Sequence, residues 1–250
     1  TQSVLGLVEP QSSGLGGGAF LVWYDSKTKK ITTLDGRETA PLSVTPNMFL
    51  DKNNDPVKFF DAVVGGNSVG IPGTPALMKS AHRRWGKIDW EKLFSEAIAL
   101  AESGFFVSDR LAKMIKRDGR RLKKFPRTSH YFFPNGKALE SGEKLENKAY
   151  AKTLRSIAQE GISVFYRGRI AVDIIETVGF ATGNKNTIVR GDLANYRVVE
   201  RQPVCKVYRS YEVCGMGPPS SGAIAIGQIL GILENYNISS LGPTSPEAWR

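Results

Sequence analysis

Ser12-Ser13-Gly14-Leu15-Gly16-Gly17-Gly18 runs directly into Ala19-Phe20-Leu21-Val22-Trp23-Tyr24, and residues 31–38 continue Ile31-Thr32-Thr33-Leu34-Asp35-Gly36-Arg37-Glu38. Residues 18–24 are an apolar and aromatic run with strand character, residues 31–34 a second short strand, and residues 27–30 a turn. Two adjacent antiparallel strands are expected at the start of the chain. The order of glycines and strand excludes one familiar reading. A dinucleotide loop follows a strand and opens a helix, so that phosphate meets the helix N-terminus. Here the glycines precede a strand. They offer backbone that can take φ > 0 and that another segment or a ligand can approach closely. A tight structural turn and a direct role in a site both stay open.

Working outward, the middle of the chain has helical periodicity. Residues 89–103 place Trp90, Leu93, Phe94, Ala97, Ile98 and Ala101 at helical spacing, with Asp89 as N-cap and Gly104 as C′ residue. Residues 108–124 form a second helix capped by Ser108, with Leu111, Met114, Ile115 and Leu122 inward and Gly119 interrupting it. Residues 150–160 and 168–178 read as two more. Residues 221–236 are the clearest helix, with Ser220 or Ser221 as cap. Their apolar side chains are dense enough on all sides to predict burial on more than one face. Residues 204–214 read as a hairpin in which Tyr208 and Tyr211 flank Arg209-Ser210. Strands, then helices, then a hairpin imply an α+β arrangement of mixed layers. Parallel βαβ alternation is not visible.

Bulk properties narrow the function classes. The 250 residues are 41% apolar, ordinary for a globular chain, so disorder is not indicated. Lys and Arg outnumber Asp and Glu by 34 to 24, giving +10. Such an excess suits an anionic partner. The densest basic stretch, residues 113–127 (KMIKRDGRRLKKFPR), contains one aromatic residue and no recognised nucleic-acid motif. It reads as a solvated helix face, and no nucleic-acid partner is expected. No stretch of 18 apolar residues exists, so no membrane span is expected. Residues 1–10 do not read as a signal peptide.

Few residues present themselves for chemistry. Arg37 lies just after a strand, and its planar guanidinium matches a carboxylate. On spacing alone, an internal pair with Asp35 or Glu38 is the simpler reading. His82 and His130 have no partners at metal-ligand spacing, so a zinc site is not expected. No Gly-x-Ser-x-Gly elbow is present. Cys205 and Cys214 are the only cysteines. If Arg209-Ser210 is a two-residue turn, they face each other at a non-hydrogen-bonded position, where side chains approach closely. A cross-strand disulfide and two reduced thiols both stay open. Gly217-Pro218-Pro219-Ser220-Ser221-Gly222 reads as a rigid lead-in and cap for the helix that follows, rather than as a nucleophilic serine loop.

Taken together, several segments resemble one family. Val8-Glu9-Pro10-Gln11-Ser12-Ser13-Gly14-Leu15-Gly16-Gly17-Gly18 is similar to the N-terminal glycine motif of the γ-glutamyltransferases. Leu34-Asp35-Gly36-Arg37-Glu38-Thr39-Ala40-Pro41 is similar to their substrate-binding arginine segment. Val69-Gly70-Ile71-Pro72-Gly73-Thr74, Phe165-Tyr166-Arg167-Gly168, Asp192-Leu193-Ala194-Asn195-Tyr196 and Pro218-Pro219-Ser220-Ser221-Gly222 match later landmarks. Order and spacing agree over essentially all 250 residues. The resemblance implies a four-layer αββα N-terminal-nucleophile hydrolase sandwich shared by two subunits that arise by autocatalytic cleavage of a proenzyme. It implies a nucleophilic Thr at the N-terminus of the small subunit, whose own amine serves as general base. The γ-glutamyl group of glutathione would pass through a γ-glutamyl-Thr intermediate to water, an amino acid or a peptide. No metal or organic cofactor is implied. Family members usually act in the periplasm or outside the cell. One substrate contact carries over to a matching position, Arg37, which would grip the α-carboxylate of the γ-glutamyl group. This implication outweighs the internal-pair reading.

On this resemblance, residues 1–250 are expected to form a single incomplete domain of the large subunit. The helix before the glycine motif, the end of the large subunit and the whole small subunit fall outside it. No catalytic residue is expected in this chain, and the chain alone is expected to be inactive. Two alternatives remain compatible with Arg37 and the charge: a related acylase acting on glutaryl or poly-γ-glutamate substrates, and a catalytically inactive homologue that binds anionic peptides.

Overall fold

The computed structural model describes residues 1–182 and 187–250. In chain order the helices are α1 (Gln2–Val8), α2 (Phe59–Val63), α3 (Thr74–Trp85), α4 (Ser95–Ser103), α5 (Asp109–Leu122), α6 (Pro126–Phe132), α7 (Lys148–Glu160), α8 (Ser163–Tyr166), α9 (Arg169–Thr182), α10 (Arg190–Ala194), α11 (Gly222–Leu233) and α12 (Ile238–Leu241). The strands are β1 (Ala19–Asp25), β2 (Lys30–Gly36), β3 (Phe105–Phe106), β4 (Lys144–Leu145), β5 (Val199–Arg201), β6 (Val204–Tyr208) and β7 (Tyr211–Gly215). Helix and strand are mixed without parallel alternation, as the α+β expectation requires. The chain forms two compact units, residues 1–18 with 38–197 and residues 19–37 with 198–250.

The first unit is mainly helical. Its core gathers Leu7, Phe105, Val107, Leu111, Ile115, Phe133 and Leu145. Helix α4 packs on α7, and Ala97 and Ala101 of the first and Ala151 of the second are buried. Helix α5 is capped as its sequence predicts, with Leu111 N donating to Ser108 Oγ over 3.1 Å. Gly119 does not break it. A Cβ there would lie 3.3 Å from Phe133 Cζ, so the glycine makes room for that ring. Gly104 ends α4 where expected, as the C-cap and not the C′ residue, with φ 86° and ψ 156°, a positive φ that glycine tolerates. Some boundaries differ: α9 runs on past 178 to Thr182, and α11 stops at Leu233, short of 236. The expected helix over 89–103 is a 3₁₀ turn, Glu91–Phe94, followed by α4. Asp89 pairs with Lys92 over 2.7 Å rather than capping, and Trp90 Nε1 donates to Ile157 O of α7 over 3.0 Å. Tertiary anchoring of Trp90 sets the local turn in place of the capping preference. Helix α1 lies directly before the glycine motif, where no helix was expected within this chain.

The second unit holds the sheet β1-β2-β5 and the hairpin β6-β7. β1 and β2 are antiparallel, with Ala19 opposite Gly36 and Asp25 opposite Lys30. Asp25 accepts from the N–H groups of Lys27 and Thr28 in the turn, and the Lys27 bond is the main reason its carboxyl lies below the usual range. β5 adds to the other edge of β2, with Asp35 opposite Val199 and Thr33 opposite Arg201. The hairpin has the register that the sequence implies: Tyr208 opposite Tyr211 and Cys205 opposite Cys214. The two cysteines form a disulfide, which decides between the two open readings. The long apolar helix, α11, packs on β6 and β7. Its expected burial on more than one face is not observed. Ile224, Ile226, Ile229 and Ile232 are 42% to 63% exposed, because no second layer covers them among the described residues.

A thiol titration of the denatured, unreduced protein should find no free thiol, and two free thiols would contradict the pairing of Cys205 with Cys214.

Candidate functional site

Arg37 follows β2 directly and is exposed, whereas Thr33, Leu34, Asp35 and Gly36 before it are buried. A buried carboxylate needs partners to offset its lost hydration. Asp35, 6% exposed, has two within hydrogen-bond distance. Its Oδ1 accepts from the main-chain N–H of Arg37 over 2.8 Å, and its Oδ2 accepts from Arg201 Nε over 2.8 Å. Arg201 lies on β5, diagonal to Asp35 across the antiparallel ladder, within reach of a long side chain. Thr33 Oγ1 donates to the carbonyl of Arg201 over 2.7 Å and fixes the same strand pair. The backbone on which Arg37 stands is therefore tied to two strands through one carboxylate. Arg201 was not singled out by the sequence. Its signal was only an arginine at the edge of a short β-propensity stretch, which many surface arginines share.

In the first unit, five of the sequence landmarks form one connected set. The carbonyl of Gly17 accepts from Gly73 N (2.9 Å), Thr74 N (3.1 Å) and Thr74 Oγ1 (3.0 Å), binding the glycine run to the start of α3. Thr39 and Ile71 exchange main-chain bonds, Ile71 N to Thr39 O at 2.8 Å and Thr39 N to Ile71 O at 3.4 Å. Glycines on both sides admit Glu38. A Cβ at Gly17 would lie 3.4 Å from Glu38 Oε1, and one at Gly70 would lie 2.9 Å from Glu38 Cβ. Gly14, Gly16, Gly17 and Gly18 do not take positive φ, so close approach at Gly17, and not a left-handed turn, is what this run supplies. Tyr166 Oη donates to Pro72 O over 2.8 Å and accepts from Ala76 N over 3.2 Å. Burial raises the Tyr166 phenol well above its ordinary pKa, so it stays a neutral donor. Tyr196 stacks on Tyr166 at 5.8 Å. Asp192 caps α10 through Val189 N (2.9 Å) and holds Leu42 N (3.1 Å), just after the Glu38–Pro41 stretch.

The remaining candidates take structural roles. His82 bonds Ile88 O over 2.7 Å and meets the Trp90 ring, and His130 is exposed. Ser221 holds the N-cap position of α11 but makes no side-chain cap bond, and Ser220 Oγ, one residue earlier, accepts from Gly222 N over 3.2 Å. Cys205, Glu212 and Cys214 are close enough to suggest a metal site, but both sulfurs are committed to the disulfide and offer no thiolate. Among the described residues no helix is long and apolar enough to cross a membrane. Replacing Tyr166 by Phe removes a donor from Pro72 O and an acceptor from Ala76 N. It should lower the unfolding free energy by about 1–3 kcal/mol in denaturant titrations; an unchanged value would show that neither bond matters to the fold.

Comparison with known proteins places these features in one group. The sequence pattern of the gamma-glutamyltranspeptidase family matches residues 1–250. The chain is 36% identical over 249 residues to the glutathione hydrolase proenzyme of Bacillus subtilis (strain 168), covering 100% of this chain and 42% of that protein. It is 37% identical over 245 residues to the glutathione hydrolase proenzyme of Escherichia coli (strain K12), covering 98% and 41%. The crystal structure of Helicobacter pylori gamma-glutamyltranspeptidase superposes with a TM-score of 0.92 at 35% identity, over 99% of this chain and 70% of that one. This chain thus spans about two fifths of the length of these curated relatives. With five of its landmarks joined in one network and its whole length matched, the chain belongs to the gamma-glutamyltranspeptidase family.

Proposed function

We propose that this chain is the large-subunit portion of a γ-glutamyl hydrolase and transferase, and that Arg37 binds the α-carboxylate of the γ-glutamyl donor. The observation that carries the reading is the Asp35 carboxylate. It engages the main chain of Arg37 and the guanidinium of Arg201, so the point at which the Arg37 side chain leaves β2 is fixed by a buried charge. The exposed guanidinium then presents a planar donor fork at a fixed point of the backbone. Glutathione is the natural donor on this reading, as the names of the relatives support.

The rest of the machinery belongs to a partner. Both compact units form part of one incomplete domain that a small subunit completes. That subunit contributes a Thr nucleophile, activated by its own α-amine, and no residue of this chain takes that role. The exposed isoleucines of α11 favour such a covering layer, since an apolar patch of this kind marks an interaction surface. The word proenzyme in the relatives' names supports cleavage of a longer precursor. No metal or organic cofactor is needed. The disulfide favours an oxidising compartment, hence a periplasmic or secreted protein.

Two outcomes are expected of the full-length processed protein. Arg37→Ala should weaken donor binding by roughly 2–5 kcal/mol, read as a rise in KM for a γ-glutamyl anilide. An unchanged KM would remove Arg37 from the site, and equal activity on a glutaryl amide lacking the α-amine would favour an acylase instead. Asp35→Asn should raise the same KM about tenfold, near 1.4 kcal/mol, with kcat within about twofold. A fall in kcat with KM unchanged would assign Asp35 a role other than positioning Arg37.

A further inference from the structure

Helix α5 turns one face to the core and a strongly basic face away from it. Leu111 and Ile115 are buried on the first. Lys113, Lys116 and Arg120 recur at i, i+3 and i+7 on the second, all exposed, and the exposed Lys124 follows just beyond the end of the helix. Lys116, Arg117, Arg120, Arg121 and Lys124 share one surface depression with Phe60 and with two carboxylates, Asp61 and Asp118. Asp118 serves Arg117 and Arg121. The helix of 14 residues is about 21 Å long, so the cations form a stripe and not a point.

The rim of this stripe is apolar. Phe59 and Phe60 of α2 are 70% and 53% exposed, and their rings meet edge to face at 5.2 Å. Arg121 lies over the Phe60 ring at 4.1 Å. That cation covers the face on which a nucleobase would stack, so the arrangement disfavours single-stranded nucleic acid, which uses open aromatic platforms. A basic helical face beside exposed phenylalanines instead has the chemistry of an interfacial helix. Cations meet anionic headgroups while aromatic rings enter the boundary with the acyl chains.

We propose that the basic face of α5, with Phe59 and Phe60 at its rim, is a docking surface for an anionic lipid bilayer. Binding here is peripheral and is independent of the γ-glutamyl reading. Each Lys or Arg near such a surface strengthens attachment roughly fivefold. The attraction weakens with salt, because exposed charges are screened.

The test is co-sedimentation of the full-length processed protein with phosphatidylcholine vesicles that contain or lack phosphatidylglycerol. Binding should require phosphatidylglycerol and fall as salt rises. The triple variant Lys116→Glu, Arg120→Glu, Lys124→Glu should lose about 100-fold in vesicle affinity, with γ-glutamyl anilide turnover unchanged as the check on folding. Phe59→Ser with Phe60→Ser should weaken binding that remains at high salt. Equal binding to both vesicle types would overturn the proposal. So would no binding at all, as when the rest of the protein covers this face. An unaffected triple variant, or tighter binding to a single-stranded oligonucleotide than to the vesicles at the same salt, would also overturn it.

Discussion

The second unit is organised around the carboxylate of Asp35. It is buried, so its charge must be met locally, and it meets that need with one main-chain donor and one guanidinium. The main-chain donor is Arg37 N, which fixes how the chain leaves β2. The guanidinium belongs to Arg201, which fixes β5 against β2 in a register that also satisfies Thr33. A slip of one residue in the pairing of β2 with β5 would turn Asp35 away from Arg201 and lose that contact. Removing Arg201 would leave the buried carboxylate with fewer partners, at a cost that the exposure of Arg201 keeps below that of a fully buried pair. The edge contact of β5 with β2 and the position of the exposed arginine are therefore both tied to one side chain.

The first unit reaches comparable order through its backbone. Gly17 contributes a carbonyl that accepts three hydrogen bonds from the start of α3, and Tyr166 secures the same helix start from the other side through Pro72 and Ala76. Asp192 holds the segment after Pro41 and caps α10 at once. None of these groups needs to touch a substrate. Their effect is to hold residues 38–42 and 69–76 in one arrangement, the kind of support that keeps a binding group within tight geometric tolerance.

Much of this was legible in the chain because local chemistry and final structure agree. The hairpins were readable from turn residues and alternation, and the 208–211 turn placed Cys205 opposite Cys214. Ser108 and Gly104 declared the ends of their helices. What the sequence hid was non-local. Trp90 takes its direction from a carbonyl on α7, 67 residues away, and this replaced an expected N-cap at Asp89 with a 3₁₀ turn. Arg201 lies 166 residues from Asp35, and no spacing rule links them. The apolar density of α11 predicted burial on more than one face, whereas Ile224, Ile226, Ile229 and Ile232 are exposed among the described residues. Arg37 itself was singled out by resemblance, and spacing alone had favoured an internal pair.

The central claim is that Asp35 acts on the donor through Arg37. A double-mutant cycle on the processed enzyme tests it, comparing KM for a γ-glutamyl anilide in Asp35→Asn, Arg37→Ala and the double variant. If Asp35 works through Arg37, the second substitution adds nothing once the arginine is gone, and the coupling free energy equals the whole effect of Asp35→Asn, about 1.4 kcal/mol. Additive effects, with coupling near zero, would contradict the account.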